Sequence, residues 1–160
     1  MNEIILQLVT AFVGSFAFAL LFRVRRERLL PASLGGLLAW GVYLLMGALT
    51  DQEVVRYFVA SVVLTVYAET LARLVRCPAT LFIVTASIPL IPGGSLYKTM
   101  EYFMRNDLEA FSRQALTTVL LAVALAVGML FPTAIFQLLH KAGGGNHTAA
   151  APPNEKGNEL

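Results

Sequence analysis

Two groups of residues in this chain have types and spacings that point to chemistry. In AETLARLVRCPAT, Glu69 and Arg73 stand four apart with the acid first, the order in which such side chains meet on one helical face. In SIPLIPGGSLYKT, Pro89 and Pro92 are followed by Gly93 and Gly94, with hydroxyls at Ser95, Tyr97 and Thr99. Neither group is a catalytic set. The apolar parts hold no serine–histidine pairing, no acids clustered as around a metal, and no phosphate loop of recognised form. His140 and His147 lie at or past the last apolar block, and the single Cys77 has no ligand-like spacing to either. The expectation is a protein that is not an enzyme, with no catalytic residue, metal or cofactor.

Both groups sit in strongly apolar surroundings, and that gives them meaning. The chain is 57% hydrophobic and only 14% charged, with a mean hydropathy of +0.68. A soluble domain carries about 25% charged residues, so most of this chain belongs in a lipid bilayer. The net charge of +2 gives no footprint for nucleic acid. An acid or arginine inside an apolar span is expensive and tends to face a bundle interior or water. On one reading Glu69 is a proton- or substrate-linked carboxylate, with Arg73 its counter-ion or a binder of substrate carboxylate. On the other, the pair fixes helix packing and Arg73 snorkels towards headgroups.

The proline–glycine stretch has the same two sides. Each proline removes a backbone donor and crowds the carbonyl four residues earlier. Glycines 93 and 94 then allow backbone conformations closed to other residues. An orphaned carbonyl in hydrocarbon costs several kcal/mol, so such a break is tolerated where protein, water or cargo satisfies it. Unwound backbone between half-helices forms substrate and ion sites in transporters. A helix restarting after Gly94 would offer free N–H groups to a carboxylate. Alternatively, Pro-Gly ends a short span and turns into the next segment.

Five apolar blocks must position these residues: Ile4 to Phe22, Leu29 to Leu49, about Tyr57 to Val75, Ala79 to Tyr97, and Ala115 to Leu139. Each is near the ~20 residues that cross a hydrocarbon core. Ala17-Phe18-Ala19 looks like a cleavage site, but no basic region precedes the first block and RVRRER follows it, so a retained span is expected. The links are short, which predicts antiparallel neighbours in one bundle. Thr50 or Asp51 is a candidate cap for the third helix. Gly35, Gly36, Gly41 and Gly47 give the second block small faces for close packing. Trp40 and Tyr43 fall mid-span, in the core or at a cavity wall; Gln7 and Thr10 carry no assignable role.

Lys98 to Gln114 differs from these blocks. Met100, Met104, Leu108, Phe111 and Ala115 share a face, and Glu101, Arg105, Glu109 and Arg113 alternate in sign at four-residue steps. That predicts an amphipathic helix, on the protein surface or lying on the bilayer. Asn106, three before Glu109, is placed to interrupt it with a capping box. The arginine-rich first loop predicts a cytoplasmic side and a periplasmic N-terminus. If the fourth block crosses fully, the amphipathic segment lies outside; if it dips and returns, inside. Residues 142–160, rich in glycine, alanine, proline and polar types, read as a disordered tail behind a membrane bundle of residues 1–141.

Taken together, the two groups resemble the signature of the threonine/serine exporter family. There A-E-x-x-A-R, P-A-T and I-P-x-x-P-G-x-x-x-Y-x-T-M follow in order, here Ala68, Glu69, Ala72, Arg73, Pro78, Ala79, Thr80, Ile88, Pro89, Pro92, Gly93, Tyr97, Thr99 and Met100. The resemblance covers most of residues 5 to 140. It implies a bacterial inner-membrane exporter of small metabolites, threonine and serine or small dicarboxylates, driven by the proton-motive force. The chain's length is similar to that of a small split subunit, which implies a larger membrane subunit as partner and allows a higher oligomer. The substrate-binding or pathway residues are then Glu69, Arg73, Pro89, Pro92, Gly93, Gly94, Ser95, Tyr97 and Thr99. The competing expectation is an assembly subunit that braces such a complex without transporting. The expected fold is all-α and polytopic, with about five transmembrane segments, the fourth broken, plus the amphipathic helix.

Overall fold

The computed structural model describes the backbone of residues 2–143 and the side chains of residues 2–138. Six α-helices follow one another: α1 Asn2–Leu21, α2 Arg26–Leu49, α3 Glu53–Val75, α4 Ala79–Ser87, α5 Gly93–Met104 and α6 Leu108–Gly143. One 3₁₀ turn, Ile88–Leu90, joins α4 to α5. No strand occurs among the described residues. α1, α2, α3 and α6 are each long and apolar enough to cross a membrane, and α4 with α5 forms a fifth candidate bent by 51°. Apart from the first two residues of the tail expected from 142, which end α6, that segment lies outside the described residues.

Small residues decide how closely the helices approach. α1 and α2 run antiparallel, and a Cβ built on Gly36 would fall 1.8 Å from Ser15 Oγ. A Cβ on Gly35 would meet that of Ala86 at 2.8 Å, bringing α4 against α2. Where α6 crosses α3, a Cβ on Gly128 would stand 1.9 Å from Ser61 Oγ and 2.8 Å from the Phe58 carbonyl. Buried alanines and hydroxyls, among them Ala32, Ala39, Ala60, Ala68, Ser33 and Thr65, fill the rest of the core. Lipid tails are as apolar as leucine, so close backbone approach is a main source of helix association here.

Three of the helices end in one device. Arg23 (φ 54°), Arg76 (φ 50°) and Asn106 (φ 56°) are left-handed. Each donates its N–H to the carbonyl three residues back, at Leu20, Arg73 and Phe103, while Val24, Cys77 and Asp107 reach back five residues, to Ala19, Ala72 and Tyr102. These paired bonds satisfy the last helical carbonyls. The expected amphipathic segment is therefore two helices. α5 closes at Asn106, and Asp107 Oδ1 accepts the Ala110 N–H at 3.1 Å to cap α6. The capping role moves from Asn106 to Asp107 because the left-handed turn already engages Asn106. The expected charge ladder is divided too, into Glu101–Arg105 on α5 and Glu109–Arg113 on α6.

Neither Thr50 nor Asp51 caps α3, whose flanking residue is Gln52. Arg56 does the stapling, donating to the Thr50 carbonyl at 2.7 Å and lying 3.7 Å from Asp51. α2 begins three residues before its apolar block, at Arg26. An apolar pattern cannot register a charged first turn.

The course of the fourth segment follows from its neighbours. α4 starts beside the end of α3, where Ala72 and Phe82 share a core cluster. Leu90 packs with Ala60 and Leu64, halfway along α3. Ser95 and Thr99 then meet Thr118, one turn before the Leu121 that packs on Tyr57 near the start of α3. The segment thus crosses the bundle from end to end rather than dipping and returning. α6 descends parallel to α3, so that Arg73 reaches the Phe136 carbonyl.

Candidate functional site

The break opens at Leu90. Pro92 (φ −74°, ψ 56°) sits at the centre of a tight turn in which the Gly93 N–H donates to the Ile91 carbonyl at 2.6 Å. The expectation that Gly93 and Gly94 supply unusual backbone conformations is not met. Both lie in the first turn of α5, neither is left-handed, and a Cβ on either meets nothing within 4 Å. Their effect is to leave that turn bare. Pro92 is buried beneath it, and Gly93 and Gly94 are exposed.

On the inner side of the break, Pro89 and Ile88 line a cavity of about 310 Å³ with Gln7, Thr10, Ala11 and Gly14 of α1 and Trp40 of α2. Gln7 Oε1 accepts from Trp40 Nε1 at 3.4 Å, and Trp40 stacks on Tyr43 at 4.8 Å between ring centroids. Thr10 directs its hydroxyl proton to its own helix, at the Leu6 and Gln7 carbonyls. Beside this wall is Ser15. Its hydroxyl is buried without a hydrogen-bond partner, pressed against Gly36, the glycine whose Cβ would also come within 3.4 Å of the Pro89 ring.

Ser95 and Thr99 are elsewhere. Their hydroxyls meet Thr118 Oγ1 at 2.9 and 3.1 Å, and Gln114 Nε2 donates to Ser95 Oγ at 2.7 Å. The cluster clasps α5 to α6. Tyr97 is exposed on α5 and joins none of the other candidates.

Glu69 and Arg73 share a third place. They line a cavity of about 590 Å³ at the end of α3 with Arg76, Cys77, Pro78 and Ala79. The helical spacing brings them to one wall, yet they form no ion pair among the described residues. Arg73 turns instead to α6, donating to the Phe136 carbonyl at 3.1 Å with its guanidinium 4.7 Å from that ring's centroid. Aromatic face and carbonyl together satisfy a cation that Glu69 then need not neutralise. Glu69 is half-buried and lies five residues, or ~7.5 Å of helical rise, from Leu64 beside the break.

The candidates therefore divide among an arginine-lined end, a mid-bundle break and a hydroxyl clasp. The sequence reading left Gln7 and Thr10 without a role and passed over Ser15, Gln114 and Thr118. The clasp did carry a signal, since Gln114 and Thr118, like Ser95 and Thr99, stand four apart on a helix.

A helical bundle whose small-residue contacts bury its core, whose long helices expose mostly apolar side chains, and whose fourth span is bent between Leu90 and Gly93 defines a polytopic membrane protein. A family model described as Threonine/Serine exporter, ThrE, matches residues 7–135. The chain belongs to the threonine/serine exporter family, a family of transporters. No curated protein and no solved structure matches the chain.

Proposed function

We propose that the chain is a subunit of a bacterial inner-membrane exporter that works with a larger membrane subunit of the same family. The cargo is a small carboxylate-bearing metabolite, an amino acid of the threonine/serine type or a small dicarboxylate. Arg23, Arg25, Arg26 and Arg28 orient the bundle with that end in the cytoplasm and the N-terminus in the periplasm.

The observation that carries this reading is the bent span itself: a buried Pro92 and two bare glycines, close in sequence to the Ile88 and Pro89 that line a cavity of about 310 Å³ with Gln7, Thr10 and Trp40. Discontinuous membrane helices are where transporters place cargo. The cavity also supports a partner. Gln7 and Thr10 are exposed on α1, and an amide facing hydrocarbon is costly unless another chain covers it. In this mechanism the cargo carboxylate meets the free N–H groups of the first turn of α5. Glu69, on the wall of the arginine-lined end, exchanges the proton that couples export to the proton-motive force.

Efflux of threonine, serine and succinate, measured at verified and equal complex recovery, tests the reading. Glu69→Gln and Gly93→Leu should each lower efflux by at least tenfold. Gly93→Ala is the sharper variant, because the added methyl has open space and improves helix propensity by about 1 kcal/mol. Any loss it causes arises in the pathway, and wild-type efflux from Glu69→Gln and Gly93→Leu removes both residues from the mechanism.

A second reading, an assembly subunit that only braces the complex, draws on α5, which buries no residue and exposes Tyr97, Met100 and Met104. It predicts that the same variants reduce co-purification of the larger subunit and leave efflux per assembled complex unchanged.

A further inference from the structure

The arginine-lined end carries more than Glu69 and Arg73. Arg76 occupies the left-handed corner that closes α3, where glycine is the residue of least backbone cost. The same holds for Arg23 at the end of α1, on the same side of the bundle. Two helix ends thus keep a guanidinium where the backbone favours no side chain, which points to a use for the side chain. Arg28 ties the α1–α2 loop to this place by donating to the Val75 carbonyl at 3.2 Å.

Between these groups is the cavity of about 590 Å³, whose wall carries two guanidinium groups, of Arg73 and Arg76, against the one carboxylate of Glu69. Arg73 spends part of its donor capacity on the Phe136 carbonyl, whereas Arg76 makes no side-chain hydrogen bond or ion pair among the described residues. Its planar fork of five donors suits a carboxylate or phosphate taken through two parallel bonds. α4 begins at Ala79, one of the lining residues, without a side-chain cap, so its end adds to the positive potential.

We propose that this cavity is an anion-binding vestibule in which Arg76 grips a carboxylate- or phosphate-bearing ligand, with Arg73 flanking it. The site is distinct from the break at Pro92. In the exporter reading, on which its assignment as the cargo's entry rests, it gathers anionic cargo before the ligand reaches the break at Pro92. The same chemistry also describes an anionic lipid headgroup, and the experiment separates the two sources.

Cys77, the chain's single cysteine, is half-buried in the same wall and reports occupancy. The full chain in neutral lipid nanodiscs is labelled with an uncharged maleimide while succinate, threonine, or phosphatidylglycerol in the bilayer is titrated in. An anion in the vestibule should slow labelling at least threefold. Protection by succinate or threonine identifies soluble cargo; protection by phosphatidylglycerol alone identifies a headgroup. Arg76→Gly should abolish protection while thermal stability holds or rises, since glycine relieves the corner, and Arg105→Gln at the far end should change nothing. Should the thiol be unreactive even without ligand, equilibrium binding of the same anions decides, with roughly tenfold weaker binding expected for Arg76→Gly. The proposal is overturned if no anion protects or binds, if an uncharged diol protects equally well, or if Arg76→Gly retains full protection or affinity. Because these readouts need no transport, their failure leaves the efflux test of Glu69 and Gly93 standing, and the reverse also holds.

Discussion

Gly36 and Gly128 differ from Gly93 and Gly94 in every respect except the residue type. The first two are contact points, where a single methyl would overlap Ser15 or Ser61. The second two face open space at the start of a helix that buries nothing. Glycine therefore serves two ends in one chain: close packing of α1, α2, α3 and α6, and access to backbone at the break. Residue type and local spacing do not separate these uses, because what separates them is the identity of a neighbour dozens of residues away.

The largest effect expected from this contrast is at Gly128. A methyl there meets both a hydroxyl and the Phe58 carbonyl, and the carbonyl cannot rotate away. Gly128→Ala should destabilise the bundle by about 3 kcal/mol, at the upper end for overpacking, read as lost monodisperse protein and a lowered thermal midpoint. Gly36→Ala overlaps only Ser15 side-chain atoms, with the Pro89 ring in ordinary contact at 3.4 Å, so it should cost less, and Ser15→Gly should rescue it. Failure of that rescue would mean that α1 and α2 are held apart by something other than this contact.

A smaller effect belongs to the clasp. Thr118 joins Ser95 and Thr99 across 2.9 and 3.1 Å. Thr118→Val keeps the shape and removes the shared hydroxyl, which should cost about 1 kcal/mol, in the range of interhelical hydrogen bonds in membranes. Since α5 packs chiefly on α6, the loss should appear as faster proteolysis between Met104 and Leu108, with little change in the rest of the bundle. An unchanged cleavage rate would assign the hydroxyls to cargo rather than to bracing.

Much of the bundle was legible in the sequence for a simple reason: a bilayer demands long apolar helices, and composition registers that demand directly. The apolar blocks, the break at Pro92 and the division of the amphipathic segment near Asn106 all follow from local residue chemistry. Helix ends were less legible. Arg23 and Arg76 close helices in a conformation usually left to glycine, so no glycine marks those ends. Partnership was less legible still. Glu69 and Arg73 have the spacing of an ion pair, but Arg73 is claimed by Phe136, sixty-three positions away. The Gln7–Trp40 contact spans thirty-three positions and lies equally beyond local pattern.

The last effect, a gain in stability rather than a loss, is the most informative about the break. Ser15 Oγ is buried without a partner, and such a group costs about 1–3 kcal/mol. If the site is dry throughout the working cycle, Ser15→Ala should raise stability by about that amount and leave efflux unchanged. If the hydroxyl is instead held for water or cargo that arrives when α4 and α5 move about Pro92, the same variant gains stability and loses efflux. Thermal midpoint and efflux measured on one preparation distinguish the two outcomes. A gain in stability paired with lost export would place Ser15 with Gly93 and Gly94, on the working side of the contrast, despite its burial among the packing residues.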